Sequence, residues 1–481
     1  MNPMKTRLTL LSLCIALAGC GTPLEKPASE IATPASWQAP VAPQAAAVST
    51  QWWRSFDSAE LSRLVEQARV ANQDLAAAVA RVRQAEASAR IAGAALLPSL
   101  NANLDANRQG LMSGDGYSGI DASDEERRFD SFSAVLSASY EVDFWGANAA
   151  ARDAALQRLR ASEADRATLE LTISAGVAST YIQALALQQQ LEIARQNLAN
   201  AEQVLELVQS RHGAGAATRM ELAQQRSLVA AQKRQLPLLA QQQREAVIAL
   251  ATLLGQPVQD LKLSGRLAEL ANPGIEAGLP SDLLTRRPDI ASAEAQLVAA
   301  DGDLKVARAA MLPRLTLSAS LGTGADRFND VMRNPYYNLA AGLAAPIFSG
   351  GRLSAERDRA KARQDELLGT YNTAILNALA DVERALNSVD GLDQQRRWQD
   401  EEVEQARLAF DLSETRYEAG AETLLNVLET QRTLFQAQDQ QAQLQQARLQ
   451  ASVSLYRALG GGWNQERLEA DCPSCGGEFI R

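Results

Sequence analysis

Two periodicities divide this chain. Leu171, Ala175, Ala178, Ile182 and Leu185 recur at alternating steps of four and three, and after one phase change Leu187, Leu191, Ala194, Leu198, Ala201, Leu205 and Val208 keep the same rhythm. Apolar residues at that spacing form one stripe of an α-helix, the seam of a coiled coil. Leu367, Tyr371, Ile375, Ala378, Val382, Leu386, Val389 and Leu392 are the counterpart further along. The run from Ala149 to Arg211 predicts a helix of about 63 residues, roughly 95 Å long at 1.5 Å per residue. No compact domain needs such a helix.

The second periodicity has a step of two. Leu100, Ala102, Leu104 and Ala106 alternate with Asn101, Asn103, Asp105 and Asn107, and Phe132, Ala134, Leu136, Ala138, Tyr140 and Val142 alternate with a mostly polar set from Ser131 to Asp143. Leu315, Leu317, Ala319 and Leu321 face away from Thr316, Ser318 and Ser320, and Tyr337, Leu339, Ala341, Leu343 and Ile347 make a fourth set. A strand presents two such sets to opposite faces. The predicted strands are about 99–107, 130–144, 314–322 and 337–348, near the roughly 9–11 residues that a tilted strand needs to cross a bilayer. Phe144, Trp145 and Phe348 close the second and fourth strands, and Tyr336 with Tyr337 opens the fourth, as aromatic girdles at a membrane interface do. A water-soluble sandwich with one buried face has the same alternation. In lipid, however, open sheet edges are excluded and four strands cannot close on themselves. Transmembrane strands would have to be shared between subunits, about eight in a dimer or twelve in a trimer, and only the larger count leaves a useful lumen. Segments Arg108–Arg128 and Gly322–Asn334 would then be the outward loops.

Both patterns occur twice. Residues 74–100 match 289–315 at a constant offset of 215, and Arg211 to Thr218 matches Arg416 to Thr423 at 205. The lost ten residues place an extra loop between Leu100 and Phe144 in the first copy. The first repeat spans 51–255 and the second 283–462, joined by a linker over 256–282 with Pro273-Gly274 and Gly278-Leu279-Pro280; residues 463–481 form a tail. Gly213, Gly215 and Gly420, followed by Thr218 and Thr423, read as helix stops and new N-caps. Each long helix therefore folds back at a tip about 95 Å from the strands. Pro237 predicts a kink in the first returning helix. The fold class is mainly α, with two tandem repeats, long coiled-coil helices and four strands per chain forming a transmembrane β part.

Composition narrows the function. The 481 residues are 46% hydrophobic, a globular composition with ample length for a core. Against 57 Asp+Glu stand 47 Lys+Arg, a formal charge of −10 that argues against nucleic acid. A single histidine, His212, and four cysteines exclude a His-rich zinc centre and leave no clustered nucleophile, base and metal set for an enzyme. No catalytic residue, metal or cofactor is expected.

Lys5 and Arg7 precede an apolar stretch from Leu8 to Ala18, the layout of a secretory signal and too short for a membrane-spanning helix. Leu17-Ala18-Gly19-Cys20 resembles the bacterial lipobox, which implies removal of residues 1–19 and acylation of Cys20; an ordinary Ala/Gly cleavage site is the simpler alternative. Removal takes two basic residues and no acidic one, leaving −12. Acyl chains stabilise membrane attachment by about 0.8 kcal/mol per buried methylene. Gly21 after the cysteine resembles lipoproteins sent on to the outer membrane. Five prolines among the alanines of 20–50 read as an extended tether. Cys472-Pro473-Ser474-Cys475 is a lone pair, read as a local disulfide or an unremarkable tail.

The whole pattern resembles the TolC-like outer-membrane efflux family, in its lipid-anchored NodT-type branch. The residues that carry the resemblance are Trp52-Trp53-Arg54-Ser55-Phe56-Asp57, Leu61, Leu64, Ala68, Asn72, Asp74, Leu75 and Leu97-Pro98; Arg287-Pro288-Asp289-Ile290, Ala293-Glu294 and Leu312-Pro313; and the tip Arg416-Tyr417 through Gly420 to Thr423. Residues 50–462 are covered. The resemblance implies a homotrimer with a twelve-stranded barrel in outer-membrane lipid, continued by a helical tunnel through the periplasm. It also implies a passive exit duct working with an inner-membrane efflux pump and a periplasmic adaptor protein. The family's periplasmic gate maps onto Tyr417, Glu422, Asn426 and Glu429, with Asn426 standing where an aspartate is common. Three copies of Glu429 around a narrow axis would repel one another. Adaptor docking maps onto the tips, at Gly213, Gly215, Thr218, Arg416, Gly420 and Thr423. The competing class is a periplasmic coiled-coil scaffold or adaptor lipoprotein whose strands form a soluble sandwich.

Overall fold

The computed structural model describes residues 31–39, 48–110, 112, 116–117, 120–121 and 128–464; Cys20, Cys472 and Cys475 lie outside them. Its elements come in matched pairs. After helix α1 (Ala59–Ala71), α2 (Gln73–Ala94) and α5 (Pro288–Ala309) both have 22 residues, and β1 (Ser99–Gly110) and β3 (Arg314–Ala325) both have 12. Helices α3 (Ala147–Gly213) and α6 (Arg352–Glu418) both have 67, and α4 (Arg219–Leu253) and α7 (Leu424–Ala458) both have 35. At 1.5 Å per residue the long helices measure about 100 Å, slightly more than the sequence predicts. Strands β2 (Arg128–Val142) and β4 (Pro335–Ala344) complete the set.

Several boundaries differ from those read in the sequence. The fourth strand ends at Ala344, not near 348, because Pro346 has no N–H for a ladder bond. The second strand ends at Val142, so Phe144 and Trp145 belong to the turn before α3. Both outward loops are shorter than expected: the strands run on to Gly110 and Ala325, and a 3-10 turn over Phe328–Arg333 sets Phe328 edge-on against Phe132, 5.8 Å between ring centres. Pro237 lies inside α4, whose helical assignment continues through it.

Helix α3 packs against α2, α4, α5 and α7, with α6 held on α5 and α7. Its own stripe of Val177, Ala178, Tyr181, Ile182 and Leu185 is fully buried. The repeats share a side-chain donor to the carbonyl at the end of the returning helix even where residues differ, although only the first repeat's residue also caps its own helix. Asn72 caps α2 by accepting from the N–H groups of Asp74 and Leu75, and its amide donates to Leu253 O at 2.9 Å. Its repeat partner Arg287 ion-pairs with Asp289 at 2.7 Å and reaches Ala458 O at 3.2 Å, the equivalent helix end. Trp52 stacks on Tyr456, ring centres 5.2 Å apart, so the start of the first repeat is sealed onto the last helix. The expected tether is held partway along: Trp37 donates to Gly278 O at 2.9 Å, and the N–H groups of Gln38 and Ala39 donate to the Glu383 carboxylate.

Candidate functional site

The first functional region is a four-stranded antiparallel sheet in the order β1-β2-β3-β4. Its register keeps each alternating set together. Leu104 pairs with Ala134, Leu136 with Leu321, Tyr140 with Leu317, Leu315 with Leu343 and Leu321 with Tyr337, so the apolar sets make one continuous face. The other face pairs Asn101 with Ser137, Ser139 with Ser318 and Ser320 with Asn338. Strands β1 and β4 are exposed at every position, and Leu104, Leu339 and Leu343 are among the most exposed large apolar residues. The soluble-sandwich alternative fails on this point, because a sandwich buries its apolar face under a second layer. A sheet with an uncovered apolar face and, among the described residues, no further strand beyond β1 or β4 is complete only with lipid on that face and other strands on those edges. Among the described residues no helix is long and apolar enough to cross a membrane.

The second region is the pair of helical tips. Both turns have one backbone design. Gly215 and Gly420 each adopt a left-handed φ of 76°, and Ala216 N and Ala421 N each close back on the arginine five residues earlier at 2.8 Å. Gly213 is simply the last helical residue; the left-handed position that ends α3 is Gly215. At the first tip Thr218 caps α4 as expected, its hydroxyl accepting from Glu221 N at 3.2 Å, and the Glu221 carboxylate completes a capping box by accepting from Thr218 N at 2.6 Å. Those Thr218 contacts hold the Glu221 carboxyl below its usual range.

The second tip corrects the sequence reading. Thr423 has the extended backbone of an N-cap, but its hydroxyl makes no capping bond. Glu422 takes over: its carboxylate accepts from Thr423 N at 3.0 Å and the Asn426 amide at 2.6 Å, with Arg416 at 3.6 Å. Thr423 first, then Asn426, hold the Glu422 carboxyl below its usual range. Tyr417 does not share this exposed network. It is buried among Phe410, Leu424 and Val427, its hydroxyl has no partner, and the Arg211 guanidinium sits 4.4 Å above its ring. Arg211 also donates to Glu418 O at 3.1 Å and so ties the two tips together. It is the tip contact that the sequence alone does not announce; its repeat partner Arg416 was the available signal. Glu429 stands apart, exposed and paired with Arg432 at 2.7 Å on its own helix. Among the described residues no group of three or more His, Cys, Asp or Glu is placed to hold a metal ion.

The model of the outer membrane efflux protein family matches residues 64–256 and 279–461. The chain is 60% identical to the pyoverdine export outer membrane protein OpmQ of Pseudomonas aeruginosa, over 96% of this chain and 98% of that protein. It is 56% identical to the OpmQ of Pseudomonas putida, over 97% and 98%. Among solved structures, the open state of the Neisseria gonorrhoeae MtrE outer membrane channel matches with a TM-score of 0.83 at 28% identity, over 92% of this chain and 98% of that one.

Proposed function

This chain belongs to the outer membrane efflux protein family, and from that premise we propose that it is the exit duct of a tripartite efflux system whose cargo is pyoverdine. Three copies contribute four strands each to one barrel, and their long helices continue it as a tunnel into the periplasm. The observation that carries this reading is the sheet whose apolar face is uncovered and which, among the described residues, has no further strand beyond β1 or β4; lipid and sister strands complete it. The cargo follows from the likeness to two pyoverdine export proteins along nearly their whole length.

In this reading Cys20 is acylated and anchors the chain in the outer membrane. The tips at Gly213, Gly215, Thr218, Arg416, Gly420 and Thr423 meet a periplasmic adaptor protein, which couples the duct to an inner-membrane pump. Passage is passive in this reading, since the duct takes what the pump delivers. Tyr417, Glu422, Asn426 and Glu429 form the periplasmic constriction, and the Glu429–Arg432 pair lowers the repulsion that three bare carboxylates would create.

The test is complementation of a Pseudomonas aeruginosa strain lacking OpmQ, with pyoverdine measured in medium and in cells. Restored secretion is expected; continued retention of pyoverdine by cells that insert the protein would exclude this cargo. In planar bilayers Glu429→Ala is expected to alter conductance or cation block, and no change in either would remove Glu429 from the constriction.

A further inference from the structure

The turn between β3 and β4 lies on one side of the sheet, and the strand register says which. Phe132, Ala134 and Leu136 of β2 stand opposite Ala325, Thr323 and Leu321 of β3, all on the apolar face. The 3-10 turn Phe328–Arg333 folds onto that same face: Phe328 meets Phe132 edge-on at 5.8 Å, and the Thr323 hydroxyl donates to Val331 O. Met332 borders a shallow hollow whose other walls include Leu104 and Leu321. At this level the polar face is taken by Tyr336, whose ring lies where a side chain on Gly322 would stand. The turn covers Thr323, yet Phe328 and Met332 in the turn itself are 76% and 82% exposed.

We infer that this turn is a lipid-docking ledge: it lies outside the barrel wall, sets Phe328 and Met332 among the acyl chains at the outer edge of the membrane, and leaves the pore mouth clear. The inference rests on the transmembrane reading of the sheet. Height supports it. From Phe132 to Val142 the apolar face of β2 runs roughly 34 Å at 3.4 Å per residue, or about 24 Å along the bilayer normal at a tilt near 45°. The apolar band of a membrane barrel is about 25 Å tall. Phe132 and the turn upon it therefore fall at the outer boundary of that band, at the opposite end of the strand from α3. Side chains change character there. Arg108 pairs with Asp130 at 2.6 Å one row beyond Phe132, Arg333 pairs with Asp330 at 2.9 Å while staying exposed, and Arg327 is exposed with no acidic partner among the described residues. Apolar side chains ringed by guanidinium groups suit the border between acyl chains and phosphate-bearing headgroups. A sister chain is the poorer occupant, because sister strands add at the edges β1 and β4, whereas the turn rests on the central strands β2 and β3.

Spin labels test the ledge in the full chain, with Cys472 and Cys475 replaced by serine and the protein reconstituted in vesicles of phosphatidylethanolamine and phosphatidylglycerol. Labels on Phe328→Cys and Met332→Cys report the turn. Labels on Leu339→Cys and Asn338→Cys, neighbours on β4, report the apolar and the polar face. The Phe328 and Met332 positions are expected to behave like Leu339, colliding more with dissolved oxygen than with a water-soluble nickel complex, and Asn338 is expected to show the reverse. A second measurement needs no introduced cysteine: Phe328→Ser with Met332→Ser is expected to leave single-channel conductance unchanged. Turn labels that favour nickel, in vesicles where Leu339 still favours oxygen, would overturn the ledge alone. So would a rise in conductance when the two side chains are removed, the mark of a lid over the pore. A Leu339 label that favours nickel would overturn the transmembrane reading itself.

Discussion

The tips at residues 211–221 and 416–426 share a backbone and differ in almost every side chain that stabilises it. Gly215 and Gly420 have the same φ, and the closing hydrogen bonds have the same length. The first tip is locally self-sufficient: Thr218 and Glu221 cap each other, and His212 Nδ1 contacts Ala217 O at 2.8 Å. The second is built through its neighbours, with Tyr417 beneath Arg211 of the other repeat and Glu422 gathering Thr423, Asn426 and Arg416. Duplication preserved the turn because only glycine enters the left-handed region cheaply.

The sharpest contrast lies at the equivalent positions 212 and 417. Tyr417→Ala is expected to lower stability by about 3–5 kcal/mol, as removal of a buried aromatic does, whereas His212→Ala should cost about 1 kcal/mol for one hydrogen bond. Chemical unfolding in detergent measures both, and equal losses would erase the distinction between the tips. Tyr417→Phe should be neutral or stabilising by as much as about 1 kcal/mol, because the buried hydroxyl has no partner to lose. Gly215→Ala and Gly420→Ala should each cost about 1–2 kcal/mol through the left-handed backbone; a large difference between them would break the shared design. Smaller still, Thr218→Ala should cost about 1 kcal/mol and Thr423→Ala only about a few tenths, since only the first hydroxyl caps a helix. Proteolysis at each tip reads that difference.

Acid should act on both tips in one direction. Glu221 and Glu422 have folded-state pKa values held below the ordinary 4.5, so the stability they contribute is complete above that value and is lost as pH falls through their lowered pKa values. Glu414 on α6 acts oppositely. Burial, with Glu418 and Asp411 nearby, raises its carboxyl, so its destabilising ionised form disappears as pH falls through that raised value. Tip protease sensitivity followed from neutral pH to below 4.5 is expected to rise for wild type, and to rise less for Glu221→Gln, which has no carboxylate to protonate.

Much of this was legible beforehand because it depends on spacing. Helix periodicity, strand alternation and the two repeat offsets located the long coiled-coil helices, their returning partners and the four strands, whereas α2 and α5 were legible only as a repeated segment; the alternating sets in β1 to β4 fall on single faces as read. What escaped depends on neighbours distant in sequence. Nothing local to Tyr417 says that Arg211 covers it, since they come together only when α3 packs beside the second hairpin. Thr423 follows a tip glycine just as Thr218 does, and only geometry shows Glu422 taking its place. Strand ends were misjudged where a proline, Pro346, or a 3-10 turn cut across otherwise smooth alternation.

The most direct test is the number of chains per particle after gentle detergent extraction from the outer membrane, measured by native mass and followed by bilayer conductance of the same particles. Three chains per conducting particle is the predicted result. A lone, non-conducting chain that stays soluble without detergent would mean that the edges of β1 and β4 need no sister strands, and would contradict the account at its base.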